Sequence, residues 1–187
     1  PFPAFGLYTN NIFFMAVPPV KNMRVCFIGH RTIKKSEELF LLLKETIYSL
    51  IKQGATTFLF GSMSEFDDLS WEVVTDLKKE FPYIKRVYVR SSFQDISYSY
   101  EKYLHRFYEE TYFPPKLAKA GKYSYVERNF EMINESSYCI FYYNEKHALS
   151  LTRKSGTKIA LEYAKKKSKQ IINVYKTEKI KQKNDTQ

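Results

Sequence analysis

Short polar segments that could bind a phosphate or move a proton recur along this sequence. The first is Gly29-His30-Arg31, which directly follows an apolar stretch. A guanidinium can pair with a phosphate or carboxylate through two hydrogen bonds, so Arg31 suits an anion. His30 could act as an acid or base, bind a ribose or hold a turn, and Gly29 allows the backbone to turn tightly. A simple polar turn is the alternative to a functional role.

The second segment, residues 61–72, combines small residues with carboxylates. N–H groups around Gly61 and Ser62 could cradle an anion at the start of a helix. Asp67 could accept hydrogen bonds from a ribose, or it could simply favour the first turn of that helix. Glu65 and Glu72 add further carboxylates.

Two more segments contain residue types that bind anions. Arg128 and Asn129 lie in YVERNFEMINES. Arg128 shares a helix face with apolar residues there, so it could bind a phosphate or merely extend its stem out of the core. Ser155, Gly156 and Thr157 open a helical pattern, and N–H groups at such a start bind phosphate. An ordinary Ser or Thr cap is the alternative.

Alternating apolar patterns predict an α/β fold in which these segments follow strands or begin helices. We predict strands at residues 23–28, 56–60, 84–89, 138–143 and 171–175, and helices at 36–53, 64–81, 123–134 and 156–167. The expected architecture is a Rossmann-like three-layer sandwich with a mainly parallel five-stranded sheet. Ligands bind at the carboxyl ends of the strands in such sheets, which is where the polar segments fall.

Composition divides the chain into three parts. Residues 1–22 do not begin with Met and lack the basic and apolar regions of a signal peptide, so an extension, an added expression segment and a translated leader are all open. Residues 23–176 form the predicted domain. Its aromatic insertion, at about residues 91–121, could be a lid or an oligomer contact. Residues 177–187 are a basic tail that we expect to be disordered.

Cysteine content and charge narrow the class of protein. Cys26 and Cys139 fall in predicted core strands, so we expect buried free thiols and a cytoplasmic location. No Cys/His cluster has zinc spacing, and no apolar run reaches the roughly 18–20 residues of a membrane helix, so neither a metal nor a membrane is expected. The net charge of +10 is uneven, with eight Lys and one Glu between Lys165 and Lys183. This run could bind nucleic acid or could be a solvated helix end.

The ordered motifs resemble the YpsA-like branch of the SLOG superfamily, which also contains the LOG phosphoribohydrolases and the DprA/Smf proteins. They are FIGHR, GSMSEFDxxSWE, YxxRNxxMIxxS and SGTxxAxxYAxK, within residues 23–175. The resemblance implies a modified Rossmann fold and a nucleotide or nucleotide-derived ligand. Together with the chemistry above it gives a predicted ligand-binding set: Gly29, His30, Arg31, Gly61, Ser62, Asp67, Arg128, Asn129, Ser155, Gly156 and Thr157.

This chain departs from the family pattern at positions that bear on catalysis. Ser62 and Glu65 stand where the family has glycines, which makes the loop after Gly61 bulkier. The LOG enzymes use an Arg, which corresponds to Arg128, and a Glu three residues after Gly-Thr, where this chain has Ala160. Cytokinin activation of the LOG type is therefore not expected.

The resemblance and the residues together favour a sensor or regulatory protein that binds a phosphate-bearing nucleotide or nucleotide-sugar, with no other cofactor. Tyrosines of the insertion, such as Tyr98, Tyr100 or Tyr103, could stack on its base. Dimerisation is plausible, because the aromatic content exceeds what a core of this size needs.

Two other functions stay open. The first alternative is a hydrolase or transferase acting on N-glycosidic or phosphoribosyl bonds of nucleotides, with Asp67, Glu72 and His30 as candidate catalytic residues. Single-stranded DNA binding through the Lys-rich end, in the DprA manner, ranks lowest because the run lacks interleaved aromatic residues. Nucleic acid is therefore not expected as a partner.

Overall fold

The computed structural model describes residues 22–145 and 155–175. The strands are β1 (Met23–Gly29), β2 (Ala55–Phe60), β3 (Lys85–Val89), β4 (Glu110–Tyr112), β5 (Tyr138–Tyr142) and β6 (Gln170–Asn173). Across these described residues they form one sheet in the order β4-β3-β2-β1-β5-β6, with every neighbouring pair parallel. The predicted Rossmann-like α/β class is confirmed.

Serine caps begin four of the helices and fix where they start. The helices are α1 (Glu37–Lys52), α2 (Glu65–Leu77), α3 (Tyr98–Leu104), α4 (Ser124–Glu135) and α5 (Gly156–Lys166). Ser36, Ser64, Ser97 and Ser155 each accept a hydrogen bond from a backbone N–H in the first turn of the following helix. Each cap satisfies a donor that has no partner inside the helix.

Both faces of the sheet are buried, and β1 shows how. Side chains alternate along a strand, so Val25 and Phe27 enter the core formed with α1 and α2. Cys26 and Ile28 enter a second core formed with α4 and α5. The three layers hold the strand ends rigidly, and these ends carry the polar segments.

The prediction of five strands misses β4, which lies within the aromatic insertion at the sheet edge. Its three residues are too few to show an alternating pattern. Glu109, just before β4, accepts hydrogen bonds from the Arg86 backbone N–H at 2.7 Å and from the Arg86 guanidinium at 2.7 and 3.2 Å. The insertion therefore extends the sheet, and a buried Arg fastens it there.

The two cysteines are free and buried, as predicted. They lie opposite each other in β1 and β5, and burial raises the pKa of the Cys26 thiol. In the ranges 22–145 and 155–175, no helix has the length and apolar character needed to cross a membrane. The predictions for residues 1–21, for the basic tail at 177–187 and for most of the loop after β5 lie outside the described residues.

Candidate functional site

A crevice of about 360 Å³ opens at the carboxyl ends of β1 and β2, beside the start of α5. It lies where the strand order reverses, between β1 and its neighbour β5, which is where such sheets bind ligands. Nine of the eleven predicted ligand-binding residues line it: Gly29, His30, Arg31, Gly61, Asp67, Asn129, Ser155, Gly156 and Thr157. The fold therefore brings four distant segments together.

Ser62 and Arg128 are predicted with that set but do not line the crevice. Ser62 has a φ of 51°, in the left-handed region where glycine is easier to accommodate, and its hydroxyl bonds to the hydroxyl of Tyr108. Arg128 is only 4% exposed, and its Nη1 donates to the carbonyl of Gly61 at 2.6 Å. Its Nε donates to Asn129 at 3.2 Å. Arg128 thus supports the loop instead of offering a free guanidinium.

Asp67 occupies the anion position that the loop after β2 would otherwise offer. Its carboxylate accepts hydrogen bonds from the N–H groups of Gly61 at 3.2 Å and Met63 at 3.3 Å, and from the hydroxyl of Ser64 at 2.9 Å. Burial raises the pKa of Asp67, while the charge of Arg128 and these hydrogen bonds oppose that rise. Two N–H groups of the loop expected to cradle an external phosphate, those of Gly61 and Met63, are therefore already bonded to the protein.

Close packing explains two of the glycines in the site. A Cβ on Gly61 would lie 2.5 Å from Cζ of Arg128, and a Cβ on Gly29 would lie 2.5 Å from the ring of Phe66. Gly29 does not adopt a positive φ. The sequence suggests that Gly29 provides a tight turn, whereas its role in the structure is to let α2 approach β1.

His30 joins the ends of two neighbouring strands. It is 5% exposed, and its Nε2 accepts a hydrogen bond from the backbone N–H of Asn144 at 2.9 Å. Its own backbone N–H donates to the carbonyl of Tyr142 at 3.3 Å. One of the two imidazole nitrogens therefore has a structural partner.

Glu65 connects the loop after β1 to the start of α2. Its backbone N–H donates to the carbonyl of Arg31 at 2.8 Å, and its carboxylate accepts from the N–H of Ile33 at 2.9 Å. Thr157 fastens α5 to the same place, because its hydroxyl donates to the carbonyl of Gly29 at 2.9 Å. These contacts shape the crevice without filling it.

The groups left for a ligand are Arg31 and the first N–H groups of α5. Arg31 is exposed and its side chain has no partner among the described residues. The hydroxyl of Ser155 accepts a hydrogen bond from the N–H of Lys158, and its carbonyl accepts one from the N–H of Ile159. The N–H groups of Gly156 and Thr157 have no partner in the described part of the chain. These donors lie at the positive end of an 11-residue helix, so this side of the crevice can hold an anion.

The three candidate catalytic residues do not converge on one point. Asp67 and His30 line the crevice with their reactive atoms bonded to the backbone. Glu72 lies on α2 in a neighbouring pocket. Within residues 22–145 and 155–175, no group of three His, Cys, Asp or Glu side chains could hold a metal ion.

A second pocket, of about 440 Å³, adjoins the crevice across the loop at Gly61, Ser62 and Met63. Sequence reasoning points to two of its aromatic lining residues, Tyr100 and Tyr103, and to Ser62 and Glu72. The other aromatic rings come from different elements and were not foreseen: Trp71, Tyr88, Phe107 and Tyr108. For these four rings the sequence signal is the high aromatic share of 17%.

No protein-family model matches this chain, and no curated protein matches it. Among solved structures, DNA processing protein A from Helicobacter pylori, described for its single-stranded DNA binding mode, matches with a TM-score of 0.49 and 18% identity. The match covers 80% of this chain and 64% of that chain, so this chain spans less than two thirds of its length. DNA processing protein A is one of the groups in the superfamily that the motifs resemble, and the YpsA-like branch stays a prediction.

One expectation about partners conflicts with this match. The sequence predicts a nucleotide or nucleotide-sugar and no nucleic acid, whereas the matched protein is described as binding single-stranded DNA. On this point the prediction was wrong.

Proposed function

We propose that this chain is a single-stranded nucleic-acid-binding protein whose crevice receives a backbone phosphate. One observation carries the proposal. The side chain of Arg31 and the N–H groups of Gly156 and Thr157 line a single crevice and have no partners among the described residues, while the carboxylate of Asp67, which also lines it, accepts three hydrogen bonds from its own chain.

The chemistry of these groups suits a phosphodiester. Its two non-bridging oxygens share one negative charge, and a guanidinium can bind both of them. The start of α5 adds backbone donors and the positive end of the helix dipole. The open space beside Gly156, where a Cβ would meet nothing within 4 Å, leaves room for a phosphate to approach the backbone.

The surface next to the crevice favours a strand over a single nucleotide. Asn129 of α4 lines the crevice, and Tyr125, one turn earlier, is exposed with its ring 5.9 Å from Cζ of Arg128. Before it, the ammonium of Lys122 lies 5.3 Å from the exposed ring of Tyr123. A lysine beside exposed tyrosines suits a strand, because the charge can meet a phosphate and the rings can stack on bases.

The same geometry favours binding over hydrolysis. The side chains of Asp67 and His30 accept hydrogen bonds from backbone N–H groups, and Glu72 lies in the other pocket. Ala160, at the position of the LOG glutamate, is 1% exposed and packs in the core beneath α5. None of these candidates therefore offers the crevice an unbonded carboxylate that could stabilise positive charge on a sugar.

The test is fluorescence anisotropy with a labelled single-stranded oligonucleotide. Wild type should bind, and Arg31→Gln should weaken binding about tenfold, as loss of one charge-assisted contact does, with an unchanged melting temperature. Arg24→Gln is the matched control. It removes the same charge at the amino-terminal end of β1, where Arg24 pairs with Glu135.

Three results would overturn the proposal. The first is a wild-type protein that does not bind the oligonucleotide, and the second is a wild-type protein that binds it no more tightly than Arg31→Gln does. The third is complete displacement of the strand by a mononucleotide at an equal concentration of phosphate, because the site would then be made for a small molecule.

A further inference from the structure

The second pocket is built from rings that present flat faces. Tyr88 and Tyr108 stack with their ring centroids 5.3 Å apart and their planes within 24°. Tyr100 and Tyr103 of α3 lie 6.1 Å apart within 13°. Tyr100 is 40% exposed and Tyr103 is 49% exposed, which is far more than packing alone would leave.

Hydrogen bonds hold the walls of this pocket in place. The indole N–H of Trp71 donates to the carbonyl of Phe107 at 3.0 Å, which joins α2 to the segment after α3. The hydroxyl of Tyr108 bonds to Ser62 in the loop beside the crevice. Burial raises the pKa of Tyr108 to about 12, so its hydroxyl stays protonated at neutral pH. The pocket is therefore preformed.

Two carboxylates give the pocket a charge opposite to that of the crevice. Asp68 and Glu72 lie one turn apart on α2, both exposed and both lining the pocket. Neither has an ion-pair partner among the described residues, although like charges at this spacing destabilise a helix. They repel phosphate, and they can accept hydrogen bonds from amino groups of a ligand.

The pocket and the crevice are close enough for parts of one strand. Gly61 and Met63 line the crevice, and Ser62 between them lines the pocket. Consecutive Cα atoms are about 3.8 Å apart, so one loop separates the two sites. A strand with a phosphate in the crevice can thus reach the pocket with a base.

We infer that this pocket binds a nucleobase with an exocyclic amino group, next to the phosphate held in the crevice. The inference rests on the proposed function and adds a base subsite to it. The tyrosine rings stack on the base, and the carboxylates of Asp68 and Glu72 accept from its amino group, as carboxylates do from cytosine N4. Thymine has no such group, so the pocket prefers cytosine over thymine, a base of the same ring size.

The experiment compares three labelled single strands of equal length: oligo(dC), oligo(dT) and an abasic strand with the same phosphates. We expect oligo(dC) to bind at least about fivefold more tightly than oligo(dT), and the abasic strand to bind most weakly. The double variant Asp68→Asn, Glu72→Gln should bring the ratio of the dC and dT affinities close to one.

A tyrosine pair on one helix separates stacking from other effects. Tyr103→Leu should weaken oligo(dC) binding at least about fivefold and leave the affinity for the abasic strand unchanged. Tyr98→Leu is the control, because Tyr98 is 78% exposed on the same helix and does not line the pocket. It should leave both affinities at the wild-type level.

Each contrary result has a definite meaning. Equal binding of all three strands, weakened by Arg31→Gln, would overturn the base subsite and leave the proposed function standing. No binding of any strand would overturn both. Displacement of oligo(dC) by tetramethylammonium would assign the rings to a cation. If Tyr103→Leu elutes later than wild type in size-exclusion chromatography, the wild type is the larger species. The rings would then be assigned to a contact with a second copy of this chain.

Discussion

Asp67 shows how a residue with an apparent ligand-binding role can serve the fold. Its sequence position predicts either a helix first-turn residue or a ribose acceptor. In the structure its carboxylate binds the loop of its own chain through Gly61, Met63 and Ser64. Arg128 lies behind that loop, bonded to the carbonyl of Gly61. Two charged residues of the motifs that suggested a ligand site thus hold the loop in shape.

The close contact of Gly61 with Arg128 predicts a stability effect. In Gly61→Ala, the new Cβ would lie 2.5 Å from Cζ of the buried guanidinium, and the guanidinium is held by its bond to the carbonyl of Gly61. We expect a loss of about 1–3 kcal/mol in the free energy of unfolding, as overpacking causes. Urea denaturation measures it. An unchanged midpoint would mean that Arg128 moves freely and is available to a ligand.

Gly156→Ala, unlike Gly61→Ala, should leave the stability of the fold unchanged and weaken strand binding. A Cβ there meets nothing within 4 Å, so the melting temperature should stay the same or rise slightly. Affinity for a single strand should fall at least about threefold, because the methyl group enters the space through which a phosphate reaches the N–H groups of α5. Anisotropy and a thermal melt on the same sample separate the two effects. Full affinity in the variant would place the phosphate elsewhere.

At the scale of elements, the long amphipathic helices and buried strands could be predicted because their apolar patterns repeat over many residues. α1 and α5 begin at the residues that their serine caps indicate. β4 could not be predicted, because it has three residues and gains its stability from pairing with β3. Its place depends on Arg86 and Glu109, which meet only in the folded chain.

The Arg86–Glu109 contact predicts a pH-dependent stability of the sheet edge. Burial alone would raise the pKa of Glu109, but the hydrogen bonds from Arg86 outweigh it and the pKa lies below its ordinary value. The stabilisation is therefore present above the unfolded pKa of about 4.3 and is lost as the pH falls through the folded pKa. Glu109→Gln should cost about 1.5–3 kcal/mol at neutral pH, and this cost should shrink in acid.

Urea unfolding of wild type and Glu109→Gln across this pH range checks the prediction. Glu80→Gln is the control, since Glu80 is exposed and its side chain has no partner in the described part of the chain. It should track wild type at every pH. A cost for Glu109→Gln that is the same in acid and at neutral pH would show that the charge of Glu109 does not hold β4.

At the scale of the whole molecule, the position of the crevice could be predicted, but the groups left unbonded in it could not. A parallel sheet places the segments after its strands at one edge, so motifs far apart in sequence were expected to meet. Which of them stay free depends on hydrogen bonds across the chain. The side chains of Asp67, His30 and Arg128 are bonded internally, whereas that of Arg31 has no partner among the described residues. The aromatic pocket draws on α2, β3 and the insertion, a combination that leaves no local pattern.

The salt dependence of strand binding tests the central claim most directly. Each phosphate contact on a single strand contributes about −0.7 to the slope of log K against log salt concentration. If Arg31 binds a backbone phosphate, Arg31→Gln should make the slope shallower by about 0.7, while Arg24→Gln keeps the wild-type slope. Identical slopes for wild type and Arg31→Gln would contradict the account, because no phosphate would then be held in the crevice by Arg31.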